Sequence, residues 1–320
     1  MLRTGLGPEP REREGGEPSL SNDPPCIARE YQVKLAKVQR AVGLGFAHAT
    51  LIVLSAFSLF PVLWVVSMAL NPLSTAQPTS LELIPHHVSL AAFAAVIAHP
   101  TEVDGLTFGR LLANSLLVSG GTALLSVLFG ATAAFAFSRF KFRGRNAGLM
   151  TFMLLQLFPS VCSLAPLFVL LSALHLRTTL VGLAIAYAAG TLPFAIWNLK
   201  GYFDTVSAEL EEAALIDGCS YFTAFWRIIL PLSAPAVAVT TLFGFMAGWT
   251  EIILAWTFLE NPKTFTLSMA LYGMVGQYGT TKPWSDFAAM AILLSLPVVS
   301  LMLILQRYIV SGLTAGGVKG

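Results

Sequence analysis

Residues able to bind a metal or catalyse a reaction are sparse in this sequence. Three histidines, His86, His87 and His99, fall in one predicted loop, but no cysteine or carboxylate completes a metal-ligand spacing beside them. The three cysteines show no paired spacing, which argues against both a disulfide framework and a metal site. We therefore expect no bound metal, and we interpret the histidines as solvated side chains of a loop.

Motifs for the hydrolysis of a nucleotide or a substrate bond are also missing from the sequence. The segment Gly279–Lys282 lacks the first glycine that the phosphate-binding pattern G-x-x-x-x-G-K-[ST] requires. Neither G-x-S-x-G nor H-E-x-x-H occurs. The prediction is a chain that is not an enzyme, so the energy for any active work would enter from another subunit or from an ion gradient.

Three polar residues inside apolar runs are candidates for a pathway. Glu251 is the one acid well inside such a run, where a charge at the centre of a membrane helix costs roughly 2.5–3.5 kcal/mol. We expect its carboxylate to face a cavity or a partner. A membrane enzyme is disfavoured, because no second acid accompanies Glu251. Gln156 and Asn198 either line a path or form hydrogen bonds between helices, and hydrogen bonding is the favoured interpretation of each.

The composition of the chain is that of an integral membrane protein. Of its 320 residues, 55% are hydrophobic and only 11% are charged, whereas soluble domains carry about 25% charged residues. An apolar run of about 20 residues crosses a bilayer as a helix. Six predicted spans reach or approach that length: Val42–Leu70, Leu111–Ser138, Ala147–Ala173, Leu180–Leu199, Ser233–Leu259 and Phe287–Gln306. The predicted fold class is all-α, with six transmembrane helices.

The distribution of Lys and Arg predicts the orientation of these spans, because basic residues concentrate on the cytoplasmic side. With the N-terminus inside, 15 of the 19 basic residues fall in the cytoplasmic segments. Those segments are 1–41, 139–146, 200–232 and 307–320. We therefore expect both termini to be cytoplasmic.

The same pattern predicts how the chain is divided. Residues 1–40 are expected to form a largely disordered cytoplasmic tail, because they are rich in Pro, Gly, Glu and Arg. Residues 41–310 form the membrane domain and residues 311–320 a cytoplasmic C-terminal tail. The longest predicted loops are 71–109 and 260–285 outside, and 200–232 inside.

The stretch from Ser207 to Pro235 has the pattern of two short helices joined by a tight turn. Ser207 and Ser220 are predicted N-caps, and Gly218 can adopt the positive φ that ends a helix. Pro231 is predicted to end the second helix. Four large apolar residues are spaced to form one stripe on that helix: Phe222, Phe225, Trp226 and Ile229. An amphipathic element of this kind between two spans indicates a contact with another protein.

This stretch resembles the cytoplasmic signature of ABC importer permeases, E-A-A-x3-G-x9-I-x-L-P. The matching residues are Glu212, Ala213, Ala214, Gly218, Ile228, Leu230 and Pro231. The resemblance implies the permease fold of these importers, often called MetI-like, and a loop that docks into a cleft of an ATPase subunit. In that setting Glu212 would contact the ATPase and the two alanines would allow close packing on one face. Asp217 and Gly218 would shape the turn.

From about residue 45 onward the chain also resembles the G-type (MalG) permeases of maltose/maltodextrin importers. The segments that carry this resemblance are QLFPSV at 156–161, KGYFDTV at 200–206, EEAALIDG at 211–218, DFAA at 286–289 and GLTAGGVKG at 312–320. The resemblance implies that the C-terminal tail, with Gly316, Gly317 and Lys319, reaches the ATPase interface. Residues 1–40 have no match, and the two long external loops are only loosely similar.

The resemblance further implies the partners of the chain. These are a second, F-type permease, two ATPase subunits that use ATP-Mg, an external solute-binding protein, the maltose or maltodextrin substrate and membrane lipid. No cofactor on this chain and no nucleic acid are expected. The expected location is the bacterial inner membrane. An importer of another sugar, such as trehalose or another oligosaccharide, is the main alternative. A secondary transporter acting alone is disfavoured, because no internal repeat or intramembrane pair of ionisable residues is present.

Overall fold

Helices dominate the computed structural model of the chain. It describes residues 26–71, 83–85, 87–103, 105–276, 279–280 and 282–317. Within these ranges the only strands are β1 (Val275–Gly276) and β2 (Gly279–Thr280), which pair antiparallel. The prediction of an all-α fold is therefore confirmed, with one two-residue strand pair added.

The helices follow one another with short connections. The first half contains α1 (Cys26–Leu70), α2 (Ala91–Ala98), α3 (Phe108–Arg139), α4 (Arg145–Gln156), a 3-10 turn (Ser160–Ser163), α5 (Leu164–Ala173) and α6 (Leu180–Phe203). The second half contains α7 (Glu209–Ile216), α8 (Tyr221–Ala224), a π-helical turn (Phe225–Ile229), α9 (Leu230–Leu232), α10 (Ala234–Thr250), α11 (Ile253–Phe258), a 3-10 turn (Pro262–Thr264), α12 (Leu267–Gly273) and α13 (Trp284–Gly317).

The chain divides into two compact units, Met1–Pro61 and Val62–Gly320. In the first unit, the described residues are the beginning of α1, and every side chain from Gln39 to Pro61 is exposed. An apolar helix with this exposure suits contact with lipid. The helix begins at Cys26, so residues 26–40 are helical and do not belong to a disordered tail as we expected. Residues 1–25 lie outside the described part of the chain.

The spans agree with the prediction in number when bent helix pairs are counted as single spans. Among the described residues, four helical stretches are long and apolar enough to cross a membrane: Gln39–Leu70, Phe108–Arg139, Leu180–Phe203 and Trp284–Val310. Two further stretches are bent, by 103° between Arg145–Gln156 and Val161–Ala173, and by 82° between Tyr221–Leu232 and Ala234–Thr250.

The third and fifth predicted spans are therefore not continuous helices. The third is interrupted between Gln156 and Ser160, where Pro159 lacks the amide donor that a continuing helix needs. In the fifth, α10 stops at Thr250, Glu251 adopts an extended conformation and α11 starts at Ile253. Uninterrupted apolar sequence predicted that both regions are helical, but it did not reveal these breaks.

The core of the second unit is formed by α3, α6 and α10. These helices approach closely because small residues line their contacts. A Cβ atom added at Gly130 would lie 2.8 Å from the Cβ of Ala195, and one added at Gly248 would lie 2.8 Å from the Cα of Ser119. Together with Gly244, Gly248 forms a G-x-x-x-G face on α10 that packs against α3.

Polar side chains also join α6 to α10, and α10 to α13. The side-chain amide of Asn198 on α6 donates to Ala236 O at 3.0 Å and to Thr240 Oγ1 at 2.9 Å on α10. The indole N–H of Trp249 donates to Leu294 O of α13 at 2.9 Å. The interpretation of Asn198 as an interhelical hydrogen-bonding residue is confirmed.

Candidate functional site

The segment from Ser207 to Leu232 folds as two short helices around a left-handed glycine. The Ser207 hydroxyl accepts from the Glu209 N–H at 3.3 Å, where α7 begins. Gly218 has φ +87° and ends the turn after α7, a conformation that costs other residues energy. The Ser220 hydroxyl then accepts from the Thr223 N–H at 3.2 Å and caps α8. The turn at Gly218 and the cap at Ser220 are therefore present as predicted, whereas the N-cap of α7 is Ala208 and Ser207 lies one residue before it.

The end of the second helix differs from the prediction. Pro231 does not end it, because the helix continues to Leu232 and the chain bends by 82° only before Ala234. The hydrogen-bond register has shifted before the proline, since the Leu230 N–H donates to Phe225 O, five residues back. This π-helical turn lets the helix pass through a residue that lacks an amide donor.

The predicted apolar stripe is split between two environments. Phe225 and Ile229 are buried in the core with Phe203 and Leu199. Phe222 is 71% exposed, although it lies one turn from Phe225 and Trp226. Trp226, four residues after Phe222, is 38% exposed, so the exposed pair and the buried pair lie on two adjacent faces of the helix and not on one.

The two alanines of the signature also occupy different faces of α7. Ala213 is exposed, whereas Ala214 is 7% exposed and belongs to the core. Consecutive residues of an α-helix are separated by about a quarter turn or more, so the expectation that both line one docking face is wrong. The exposed face of α7 and the following turn contains Glu212, Ala213, Ile216, Asp217 and Gly218.

The buried face of α7 is held by an ion pair that the sequence did not reveal. Arg139, the last residue of α3, donates through Nε to Glu211 Oε1, and only 13% and 6% of the two side chains are exposed. A second guanidinium nitrogen of Arg139 donates to Val206 O at 2.9 Å. The end of α3 is thereby fixed to the start of α7, 72 positions later in the chain.

Asp204 extends this polar cluster beside the ion pair. Its carboxylate accepts from Lys200 Nζ and from the Ser138 hydroxyl, each at 2.6 Å. Partial burial raises the pKa of Asp204, but the hydrogen bonds from Lys200 and Ser138 and the positive charges of Lys200 and Arg145 outweigh it, so the pKa lies below its ordinary value. The cluster therefore holds a carboxylate that stays ionised.

The remaining signature and tail residues belong to other parts of the chain. Ile228 and Leu230 are half-buried and Pro231 is exposed on the helix that follows the turn. Gly316 and Gly317 are helical residues at the end of α13 and do not form an extended tail. Lys319 lies outside the described residues.

A cavity of about 740 Å³ opens where the two helix breaks meet α6. Polar groups on its wall come from four different elements: Gln156, Ser163, Tyr187, Thr191, Thr250 and Glu251. Apolar residues, including Phe158 and Leu254, complete the lining. Gln156 thus lines a cavity, whereas hydrogen bonding between helices was the favoured interpretation.

Glu251 lies at the break between α10 and α11, not within a helix as predicted. Its carboxylate accepts from the Ile253 N–H at 2.9 Å and from the Leu254 N–H at 3.1 Å. These bonds satisfy amide groups that the start of α11 leaves without an intrahelical partner. Glu251 therefore ends one helix, begins the next and also lines the cavity.

The comparisons with known proteins match this architecture. Residues 126–315 match the family model described as a binding-protein-dependent transport system inner membrane component. The chain belongs to this family. The permease is therefore an integral protein of the inner membrane and a transport component, not an enzyme.

The chain aligns with curated relatives over nearly the whole length of those relatives. The permease is 35% identical over 284 residues to the galactooligosaccharides transport system permease protein GanQ of Bacillus subtilis (strain 168), covering 89% of this chain and 98% of GanQ. It is 34% identical over 297 residues to the maltose/maltodextrin transport system permease protein MalG of Yersinia pestis, covering 89% and 96%. Such identity over most of the chain makes the permease a subunit of an ABC sugar importer.

A solved structure shares the fold. A chain in the crystal structure of a bacterial ABC transporter involved in the import of the acidic polysaccharide alginate superposes with a TM-score of 0.69 at 22% identity. The match covers 85% of the permease and 97% of that chain. The permease therefore has the same overall fold as that chain.

Proposed function

We propose that the permease imports maltose and maltodextrins. The observation that carries this proposal is the C-terminal sequence GLTAGGVKG at 312–320, which resembles the end of maltose-type permeases, while other sugar permeases end differently. The similar identity to GanQ and to MalG does not favour either substrate. Galactooligosaccharides are therefore the second candidate, and trehalose is a third.

The test of the substrate is sugar-stimulated ATP hydrolysis by the assembled importer. The permease is co-purified with its partner subunits and reconstituted with its solute-binding protein. Maltose or a short maltodextrin should stimulate hydrolysis severalfold, whereas trehalose and galactooligosaccharides should not. Stimulation by a galactooligosaccharide alone would overturn the maltose proposal and leave the assignment to ABC sugar importers intact.

The proposed assembly has a second, F-type permease, two ATPase subunits that use ATP-Mg, and an external solute-binding protein. Both termini and the loop 200–232 face the cytoplasm in this proposal, with the loops 71–109 and 260–285 outside. Its support is the concentration of Lys and Arg on one side. The permease itself carries no cofactor.

Coupling to the ATPase is proposed for the exposed face of α7. Glu212 would accept a charged or hydrogen-bonded contact, and Ala213 would allow the ATPase to approach closely. Asp217 and Gly218 would shape the turn, while Ala214 packs internally and holds α7 in place. Ile228, Leu230 and Pro231 support the helix behind the turn, and Gly316, Gly317 and Lys319 would contact the ATPase interface.

The ion pair of Arg139 and Glu211 supplies a route for movement from α7 into the membrane. A buried ion pair is costly to separate, because each charge would remain in a poorly solvated position. When the ATPase displaces α7, the end of α3 should therefore move with it. Because α3 packs closely against α6 and α10, the movement would reach the helices that line the cavity.

The cavity is the proposed part of the sugar pathway on this chain. Sugars are bound by polar groups at a few positions on an otherwise apolar wall, and this wall presents Gln156, Tyr187 and Glu251. The breaks in the third and fifth spans border this cavity, and membrane proteins tolerate non-helical backbone where it lines a cavity. The second permease would close the open side.

The coupling proposal is tested with Glu212→Lys. Its reversed charge should abolish sugar-stimulated ATP hydrolysis while the permease still folds and inserts, since Glu212 is exposed. Ser207→Ala changes a neighbouring residue outside the docking face and provides a control for general damage to the loop. Normal assembly and stimulated hydrolysis in the Glu212→Lys, Gly218→Asp double variant would contradict this role.

A further inference from the structure

The turn between α3 and α4 forms a basic, concave surface at the edge of the membrane domain. We name residues 140–147 the basic turn. Its surface encloses about 650 Å³ and is lined by residues 141–147. Since α3 and the bent pair that begins with α4 are apolar enough to cross a membrane, the turn that joins them lies at the membrane–water boundary.

Two of the four basic residues around this turn, Arg139 and Arg145, bind other groups of the protein. Arg139 is paired with Glu211 and bound to Val206 O. Arg145 donates to Phe137 O at 2.6 Å and to Ser138 O at 3.3 Å. These contacts fix both ends of the turn and involve neither of the basic side chains at its centre.

Lys141 and Arg143 are exposed at the centre of the turn. None of the ion pairs among the described residues includes either side chain. The sequence contains no Asp or Glu between Gly105 and Phe203. Two acids that fold back to the end of α3, Asp204 and Glu211, are bound to Lys200 and Arg139. The centre of the turn therefore presents positive charge that the described protein does not neutralise.

Two aromatic residues alternate with these basic residues and pack against neighbouring rings. Phe140 and Phe142 are 42% and 46% exposed. The ring of Phe142 lies 5.4 Å from that of Phe137, and the ring of Phe140 lies 5.7 Å from that of Tyr221. Partly exposed rings beside basic side chains match the boundary of a bilayer, where apolar and charged groups meet.

We infer that the basic turn binds the phosphate headgroup of an anionic phospholipid. Lys141 and Arg143 would contact the phosphate, and Phe140 and Phe142 would lie against the upper acyl chains. Clusters of Lys and Arg beside a membrane helix recognise anionic lipids in this way. The basic turn lies on the same side of the protein as α7, because Arg139 at its start is paired with Glu211 of α7. In the proposed topology, the lipid therefore belongs to the cytoplasmic leaflet.

The test measures lipid binding by the full-length permease, purified with the subunits that accompany it. Phosphatidylglycerol and phosphatidylcholine are titrated separately, and bound lipid is counted by native mass spectrometry. Lys141→Gln and Arg143→Gln should each weaken phosphatidylglycerol binding about fivefold, and the double variant should weaken it more. Binding of phosphatidylcholine should not change, and added salt should reduce only the anionic lipid's binding.

Lys263→Gln is the matched control, because Lys263 is an exposed lysine in the loop predicted to lie on the opposite side of the membrane. It should leave phosphatidylglycerol binding unchanged, and the Lys141→Arg, Arg143→Lys double variant should retain it. Melting temperatures report whether each variant is folded. Three results would overturn the inference. Lys263→Gln could weaken phosphatidylglycerol binding as much as the turn variants do, or the Lys141→Gln, Arg143→Gln double variant could bind it unchanged. Inorganic phosphate could also compete as effectively as phosphatidylglycerol itself. Loss of ATPase subunits without loss of lipid would assign the turn to a protein contact instead.

Discussion

At the scale of single residues, Glu211 and Glu212 show how neighbouring carboxylates acquire different tasks. Glu211 is buried and bound to Arg139, whereas Glu212 points away from the core on the exposed face of α7. The first holds the helix in position, and the second is available to a partner. Stability and coupling should therefore respond separately to the two substitutions.

Glu211→Ala should lower the free energy of unfolding by about 3 kcal/mol, because it leaves the charge of Arg139 buried without a partner. Glu212→Ala should change the free energy of unfolding by less than about 0.5 kcal/mol, since exposed substitutions seldom do more. Denaturant unfolding of the purified permease, followed by intrinsic fluorescence, gives both values.

The double variant Arg139→Ala, Glu211→Ala completes this experiment. Because the second substitution removes the unpaired charge, its loss of stability should be smaller than the sum of the two single losses. Additive losses would show that Arg139 and Glu211 contribute independently, and the rigid link between α3 and α7 would then lose its physical basis.

Asp204 should make the stability of the permease depend on pH in the acid range. Its pKa in the folded protein is lowered, so its stabilising contribution is complete above the ordinary aspartate pKa of about 3.9 and is lost as the pH falls through the folded-state value. Melting temperatures of the wild type and Asp204→Asn should therefore differ at pH 7 and converge below about pH 4. A difference that stays constant down to this range would contradict the proposed hydrogen bonds to Lys200 and Ser138.

Much of the residue-level arrangement could be predicted from sequence where the contacts are local. Ser220 and Gly218 act on residues within one turn, so their roles were readable from type and spacing. Arg139 and Glu211 are 72 positions apart, and no periodic pattern in one sequence connects them. Their only signal was a basic residue at the end of one apolar run and an extra acid beside the signature.

At the scale of elements, the helices were predictable and their interruptions were not. Apolar sequence continues through Pro159 and through Ile252, so a criterion of length and composition extends the helix across both breaks. Each break nevertheless had a local sign: a proline without an amide donor in one case, and the single intramembrane acid in the other. Glu251 marks a break because its carboxylate can replace the hydrogen bonds that the interrupted helix has lost.

The small-residue face of α10 is the other element-level feature. Gly244 and Gly248 are four residues apart, which is visible in the sequence, but the partner helix is not. Gly248→Ala should lower the free energy of unfolding by about 1–3 kcal/mol, because the new Cβ would lie 2.8 Å from the backbone of Ser119. Gly120→Ala on α3 is the matched control, since its Cβ would meet no atom within 4 Å. Equal stability of both variants in denaturant unfolding would contradict close packing of α3 and α10.

At the scale of the second unit, the cavity and the α7–α8 segment share one packed support. The cavity wall includes α6 and the end of α10. The segment is attached to α3 by the pair of Arg139 and Glu211, and to α6 by the packing of Phe225 against Phe203. Since α3, α6 and α10 pack without room for an added methyl group at several contacts, a displacement at one end is transmitted and not absorbed.

Cys162 provides a native probe of this coupling, because it is exposed and lines the cavity. In a Cys26→Ser, Cys219→Ser variant of the assembled importer, saturating sugar and binding protein should slow the reaction of Cys162 with a polar maleimide severalfold. A nucleotide that closes the ATPase subunits should change the rate again. The measurement is the time course of labelling by mass spectrometry.

The matched control retains only Cys219, which is half-exposed beside the turn at Gly218. Its labelling should respond to the presence of the ATPase subunits and not to sugar alone. Protection of Cys219 by sugar without any change at Cys162 would place the sugar away from the cavity and contradict the proposed pathway.

The pairing of Arg139 with Glu211 also has a consequence for biosynthesis. The ribosome completes Arg139 long before Glu211, with α4, α5 and α6 synthesised in between. During that interval the guanidinium has no carboxylate from α7, and α7 cannot take its final orientation until α3 and α6 have both been inserted. The surface offered by Glu212 therefore forms late, and it reports that the membrane helices around it are already in place. An ATPase that recognises this surface would pass over chains in which α3 and α6 have not yet been inserted.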